Sequence, residues 1–150
     1  MSWNIVLMRL PHHVTSVADL TDDDAPPPIG PAAGILDRLR TAFPGVDLSD
    51  PTWGLLEEPG ARGAGWLLEL VIGDRDPVES LMVRMRGGGS VPAVLYLADL
   101  LDCRALDLSS GDIVTWDDWE QDGGSRARFH EDLARALGRD RGRAAPDGGA

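Results

Sequence analysis

The chain is 150 residues long and 43% apolar, with five tryptophans, Trp3, Trp53, Trp66, Trp116 and Trp119. A single core commonly takes roughly 100 to 200 residues, so this length suits one domain, and the apolar share excludes a disordered acidic chain. The 25 acidic residues face 14 basic ones, every one an arginine, for a net charge of −11, which repels phosphate backbones and argues against a nucleic-acid partner.

Asn4 to Leu10, "NIVLMRL", is a short aliphatic run stopped by Pro11, and it predicts a strand. The segment "PHHVTSVADLTDDDAPPPIGP" is dense in proline and aspartate and reads as a surface connection, with one turn near Val14 to Leu20. Pro31 opens a helix that puts Ile35, Leu39, Ala42 and Phe43 on one face and stops at Pro44 and Gly45. A short strand from Trp53 to Glu58, a hairpin loop over 59–65 and a strand from Trp66 to Ile72 follow. In the last of these, Trp66, Leu68, Leu70 and Ile72 share one face, while Glu69 lies on the other. "GDRDP" then turns the chain into a strand from Val78 to Arg86, with Leu81, Val83 and Met85 inward and Met82, Arg84 and Arg86 outward.

After three glycines, Ser90 is placed to cap a mostly apolar helix running through Cys103. "RALDLSSGDIVTW" supplies one or two short extended pieces, and "WDDWEQDGG" reads as an acidic loop. Ser125 caps a third helix with Phe129, Leu133, Ala136 and Leu137 on one face, and Gly138 is its expected stop. Residues 1–124 are thus expected to form one α+β domain, 125–138 a C-terminal helix and 139–150 a disordered tail. The expected architecture is a two-layer sandwich: a mainly antiparallel sheet of four to five strands, two helices on one face, and the C-terminal helix.

Charge is uneven along the chain. Residues 126–150 hold six arginines against four acids, or +2, which leaves −13 on residues 1–125. An acidic body favours a cationic partner such as a basic protein. Cys103 is the lone cysteine, so no intrachain disulfide forms. The apolar runs fall short of the roughly 20 residues of a membrane span, and the start lacks the basic region of a signal peptide. The expectation is a cytoplasmic protein with no membrane partner; its oligomeric state stays open.

The sequence offers several candidate sites, each with a plainer alternative. A strand, the glycines of "RGGGS" and a helix start together suggest an anion site built from Arg84, Arg86, Gly88, Gly89 and Ser90. That run matches neither the phosphate-loop pattern nor the dinucleotide fingerprint. The favoured reading makes it a turn, with the arginines paired to Glu69 across strands. Asp118, Glu120, Asp122 and Gly123 fit early positions of a calcium loop, but Phe129 stands where its bidentate glutamate belongs, so no metal is expected. His12, His13 and His130 are too scattered for zinc. Tyr96, Asp99 and Cys103 share a helical stripe without a neighbouring histidine, and the cysteine reads as structural. Trp3 and Trp53 are expected in the core rather than as binding anchors.

"MSWNIVLMRLP", "FPGVDLSDPTWG", "ELVIGDRDPVESLMVRMRGGG" and "RALDLSSGD" together resemble a family of short bacterial, mostly actinobacterial, proteins of uncharacterised function, over about residues 1–112. The resemblance implies the domain boundary and the order of strand, glycine loop and helix, and it implies no catalytic residue.

The leading expectation is a non-enzymatic protein-binding module, of the kind that serves as an immunity or inhibitor protein for a basic toxin or enzyme, with Glu69, Arg84 and Arg86 as partner-binding residues. The alternative is a small-molecule anion-binding domain or enzyme using Arg84, Arg86 and the Gly87–Ser90 loop. A third is a regulatory subunit that docks through its C-terminal helix. No complete catalytic set is visible, which leans against an enzyme.

Overall fold

The computed structural model describes residues 3–20, 26–61, 64–87 and 89–144. Seven strands form one open sheet: β1 (Trp3–Met8), β2 (Asp47–Asp50), β3 (Trp53–Glu57), β4 (Leu67–Val71), β5 (Leu81–Arg86), β6 (Arg104–Asp107) and β7 (Ile113–Val114). Their spatial order is β2-β3-β4-β5-β1-β6-β7, and every neighbouring pair is antiparallel. The sheet therefore exceeds the expected four to five strands. The additions are β2, whose "DLSD" is too polar to show alternation, and the two-residue β7.

Four helices accompany the sheet: α1 (Ala32–Ala42), α2 (Ser90–Leu100), α3 (Trp116–Gln121) and α4 (Arg126–Ala144). Alternation decides which sheet face they cover. Leu56, Leu68, Leu70, Leu81, Val83, Met85, Ile5, Leu7 and Ala105 lie in register on one side. They join Ile35, Leu39 and Phe43 of α1 and its end, most of α2, Trp116 of α3, and Leu133 and Leu137 of α4 in one core. Burying a side chain of this size contributes about 1.5–3 kcal/mol, so this face carries most of the stability. Three helices and the start of α3 thus share the layer for which two were expected, and α4 packs on the domain body.

Local chemistry sets the helix ends. α1 starts after Pro31, which has no side-chain cap of its own; the Asp76 carboxylate accepts the Ala32 N–H instead, at 3.1 Å. α2 is capped by Gly89 rather than Ser90, because Gly89 takes φ 85°, a left-handed conformation that glycine adopts without steric cost. α2 also stops before Cys103: Asp102 turns to φ 55°, and the Cys103 N–H closes on the Ala98 carbonyl at 2.7 Å. The expected acidic loop is the helix α3. A reciprocal capping box starts it, in which Thr115 accepts the Asp118 N–H while Asp118 accepts the Thr115 N–H. α4 runs through Gly138 to Ala144, past its expected stop and into the segment expected to be a disordered tail; residues 145–150 lie outside the described residues. Among the described residues no helix is long and apolar enough to cross a membrane.

Candidate functional site

Among the described residues the opposite face of the sheet is largely bare. Register aligns Trp53 with Val71, Val71 with Met82, Met82 with Val6, and Val6 with Leu106. This apolar row crosses five strands. Among the described residues only its far end is covered, where Leu10, Leu106 and Ile113 form a small second cluster with Met8 and Leu20. Val6, Val71 and Met82 are half-buried and belong to neither core cluster. Trp53 is 40% exposed, in contrast to its expected place in the core. Beside the row, the register pairs Leu55 with Glu69 and Glu69 with Arg84. Acids gather at the β2–β3 end, where Asp50 pairs with Trp53, Asp47 with Leu55, and Glu57 continues the same face. Asp47 and Asp50 are held below the usual carboxylate range by hydrogen bonds from Ser49 and Thr52 respectively, so both stay charged across the physiological range.

Glu69 gathers the two candidate arginines. Arg86 Nη2 stands 3.5 Å from one carboxylate oxygen and Arg84 Nη1 stands 3.9 Å from the other. The Glu69 side chain is 16% exposed, and those of Arg84 and Arg86 are 51% and 60% exposed.

The glycine loop is occupied with its own geometry. A Cβ on Gly87 would stand 2.8 Å from the Gly65 carbonyl oxygen, so this position brings the loop against the β3–β4 hairpin. Gly87 and Gly89 both have positive φ, while Gly88 lies outside the described residues. Ser90 is buried, and its hydroxyl is directed at the carbonyls of Arg86, at 2.9 Å, and Gly87. Arg86, Gly87, Gly89 and Ser90 do border a cavity of about 600 Å³ with Trp3, Val91 and Trp119. Arg84 does not line it.

Asp107 is a buried acid that the sequence did not single out. Its Oδ1 accepts the Trp3 indole N–H at 2.8 Å, and the Ser109 N–H and hydroxyl at 2.8 and 2.7 Å. Burial pushes this carboxyl up, but those hydrogen bonds outweigh it and hold it below the usual value. This locks Trp3 to the "LDLSSGD" turn rather than leaving it as an anchor.

The remaining candidates take structural places. Asp99 accepts the Trp116 indole N–H at 2.8 Å and pairs with Arg126 at 3.0 Å, and Arg126 lies over the Trp116 ring at 4.9 Å. His130 packs between Trp116 and Tyr96. This cluster fastens α3 and α4 to α2. Asp99 is thereby engaged away from Cys103, whose thiol burial pushes up to about 11. Asp118 serves the α3 cap, and Glu120 accepts the Arg126 N–H at 3.3 Å. Among the described residues no three His, Cys, Asp or Glu side chains are grouped to hold a metal ion. His12 and His13 are exposed.

The fold and its surfaces define an α+β domain with one face closed by helices and one face open. No family model matches the chain, and neither a curated protein nor a solved structure matches it significantly.

Proposed function

We propose that the protein is a binding module that docks a cationic protein partner on the open face of its sheet. The observation that carries this reading is the apolar row from Trp53 to Val6, left outside both core clusters and bordered by Asp47, Asp50, Glu57 and Glu69. An exposed tryptophan at the end of a row of half-buried aliphatic side chains has the composition of an interface patch, and charges around it set partner choice and association rate. The net charge of −11 opposes a second copy and favours a basic surface. In its narrower form this is an inhibitor or immunity protein for a basic toxin or enzyme, with Arg84 and Arg86 answering isolated acids on the partner.

The test compares the wild-type chain with Trp53→Ser combined with Asp47→Asn and Asp50→Asn, all at exposed positions. Both are used to capture proteins from the native cell extract, and the captured protein is purified and titrated back. A basic protein that binds only the wild type, and protects β3 to β5 from hydrogen exchange, supports the reading. Protection on the helical side overturns it, as does capture unaffected by the substitutions. Self-association that Trp53→Ser abolishes would also overturn it, by making a second copy the occupant.

A second reading, a small-molecule anion site, is favoured by the cavity that Arg86, Gly87, Gly89 and Ser90 border. It is the weaker one, because Glu69 draws Arg86 and the Ser90 hydroxyl is already engaged.

A further inference from the structure

Between the β3–β4 hairpin, the glycine loop and the first turns of α4 lies a cleft of about 370 Å³, within the roughly 300–1,000 Å³ of small-molecule sites. It is separate from the open sheet face. Three aromatic side chains, Trp66, Trp119 and Phe129, line it. Trp119 and Phe129 stand at 81° with centroids 6.4 Å apart, so they form a corner rather than a stacked slab. Trp66 is buried beside them and fixed through its backbone N–H, which donates to Glu58 Oε1 at 3.4 Å. Trp119 in turn is seated by Gly124: a Cβ there would stand 2.4 Å from the indole, so only glycine leaves the ring in place.

Charge selects the ligand. The lining holds two carboxylates, Glu58 and Asp132, against one guanidinium, Arg128. Asp132 also pairs with Arg135 at 3.4 Å, but both side chains are more than 60% exposed, so water screens that pair and leaves the carboxylate able to face a cation in the cleft. Aromatic faces carry negative potential and attract cations, most strongly at tryptophan, so rings and carboxylates favour the same sign. The neighbouring cavity beyond Trp119 contrasts with this, since its lining has Arg86 and no carboxylate. A bulky, weakly hydrated cation gains from the aromatic walls without the desolvation cost of a compact ammonium. We propose that this cleft binds a small organic cation with an alkylated ammonium head, which Trp119 and Phe129 enclose and which Glu58 and Asp132 neutralise.

The test is a pair of titrations of the full chain, followed by NMR shifts of the tryptophan indole N–H groups. One probe is choline, and the other is its neutral carbon isostere, 3,3-dimethylbutan-1-ol. Choline should saturate the Trp66 and Trp119 signals at millimolar concentration and bind about fivefold or more tighter than the isostere. Asp132→Asn, at an exposed position that leaves the packing intact, should weaken choline about threefold, and Trp119→Ala about tenfold. Arg128→Gln should tighten it. Equal affinity for the two probes overturns the proposal by showing an apolar groove indifferent to charge. So do shifts confined to the Trp3 signal, and so does an absence of saturation up to about 100 mM choline beyond a sodium chloride control.

Discussion

Glu69→Gln is the most informative single perturbation of the open face, because one carboxylate engages both candidate arginines at 3.5 and 3.9 Å. Both arginine side chains are more than half exposed, so water screens the pairs, and each contributes about 0.2–1 kcal/mol. Removing the charge while keeping the side-chain shape should therefore cost about 0.5–2 kcal/mol, which lowers the melting temperature by roughly 1–8 °C for a chain of this size. The loss should shrink in high salt. In double-mutant cycles, Arg84→Gln and Arg86→Gln should each couple to Glu69, and less than additively, since they share one partner. Phosphate supplies the functional arm. In the wild type the arginines already have a counterion, so inorganic phosphate should bind weakly. In Glu69→Gln two guanidiniums on one sheet face are released, and phosphate affinity should rise several-fold. Titration calorimetry and thermal melts with and without phosphate read both arms. A stability loss above about 3 kcal/mol would refute the screened-pair reasoning. Wild-type phosphate affinity equal to that of the variant would show that the arginines are available, and would restore the anion-site reading.

Two further predictions concern groups away from that face. Asp107→Ala leaves the Trp3 indole and Ser109 donors without their acceptor and should cost about 2–4 kcal/mol, against about 1 kcal/mol for Asp107→Asn, which keeps an acceptor oxygen. Hydrogen bonding holds the folded-state value of Asp107 below the ordinary one. Its contribution is therefore present above about pH 4 and lost as pH falls through the lowered value, so wild-type and Asp107→Asn stabilities should converge in acid; parallel curves down to about pH 2 would count against this. The Cys103 thiol is pushed by burial up to about 11, so at pH 8 the native chain should alkylate with iodoacetamide roughly 100-fold more slowly than the urea-unfolded chain. The sign also requires this group's contribution to be intact below about pH 9 and lost as pH rises to about 11; equal alkylation rates would contradict the burial.

Much of the helical face was legible because its signals are local. Period-two alternation marked Leu68, Leu70, Leu81, Val83 and Met85, and helical spacing marked Ile35, Leu39 and Phe43; all of these are buried in the main core. The errors have local causes too. "TWDD" carries the capping-box pattern that starts α3, yet its acids read as loop when weighed by composition alone. Ser90 has the chemistry of a cap, but the positive φ of Gly89 decides the position. Gly138 costs a helix interior about 1 kcal/mol, which strong helix formers on either side offset. β2 draws its order from elsewhere: Leu48 is buried in the core and packs where a Cβ on Gly54 would stand 2.7 Å away. The open face belongs to a different kind of information. The side on which Arg84, Arg86 and Glu69 fall follows from alternation, and their pairing follows from the neighbouring strands β4 and β5. Trp53, Val71, Met82 and Val6 come from four strands, and β1 lies between β5 and β6 although it begins the chain. A single outward valine or methionine is ordinary surface. Strand order and register turn four such residues into a line with Trp53 at its exposed end, and that line separates a binding face from the back of a sheet.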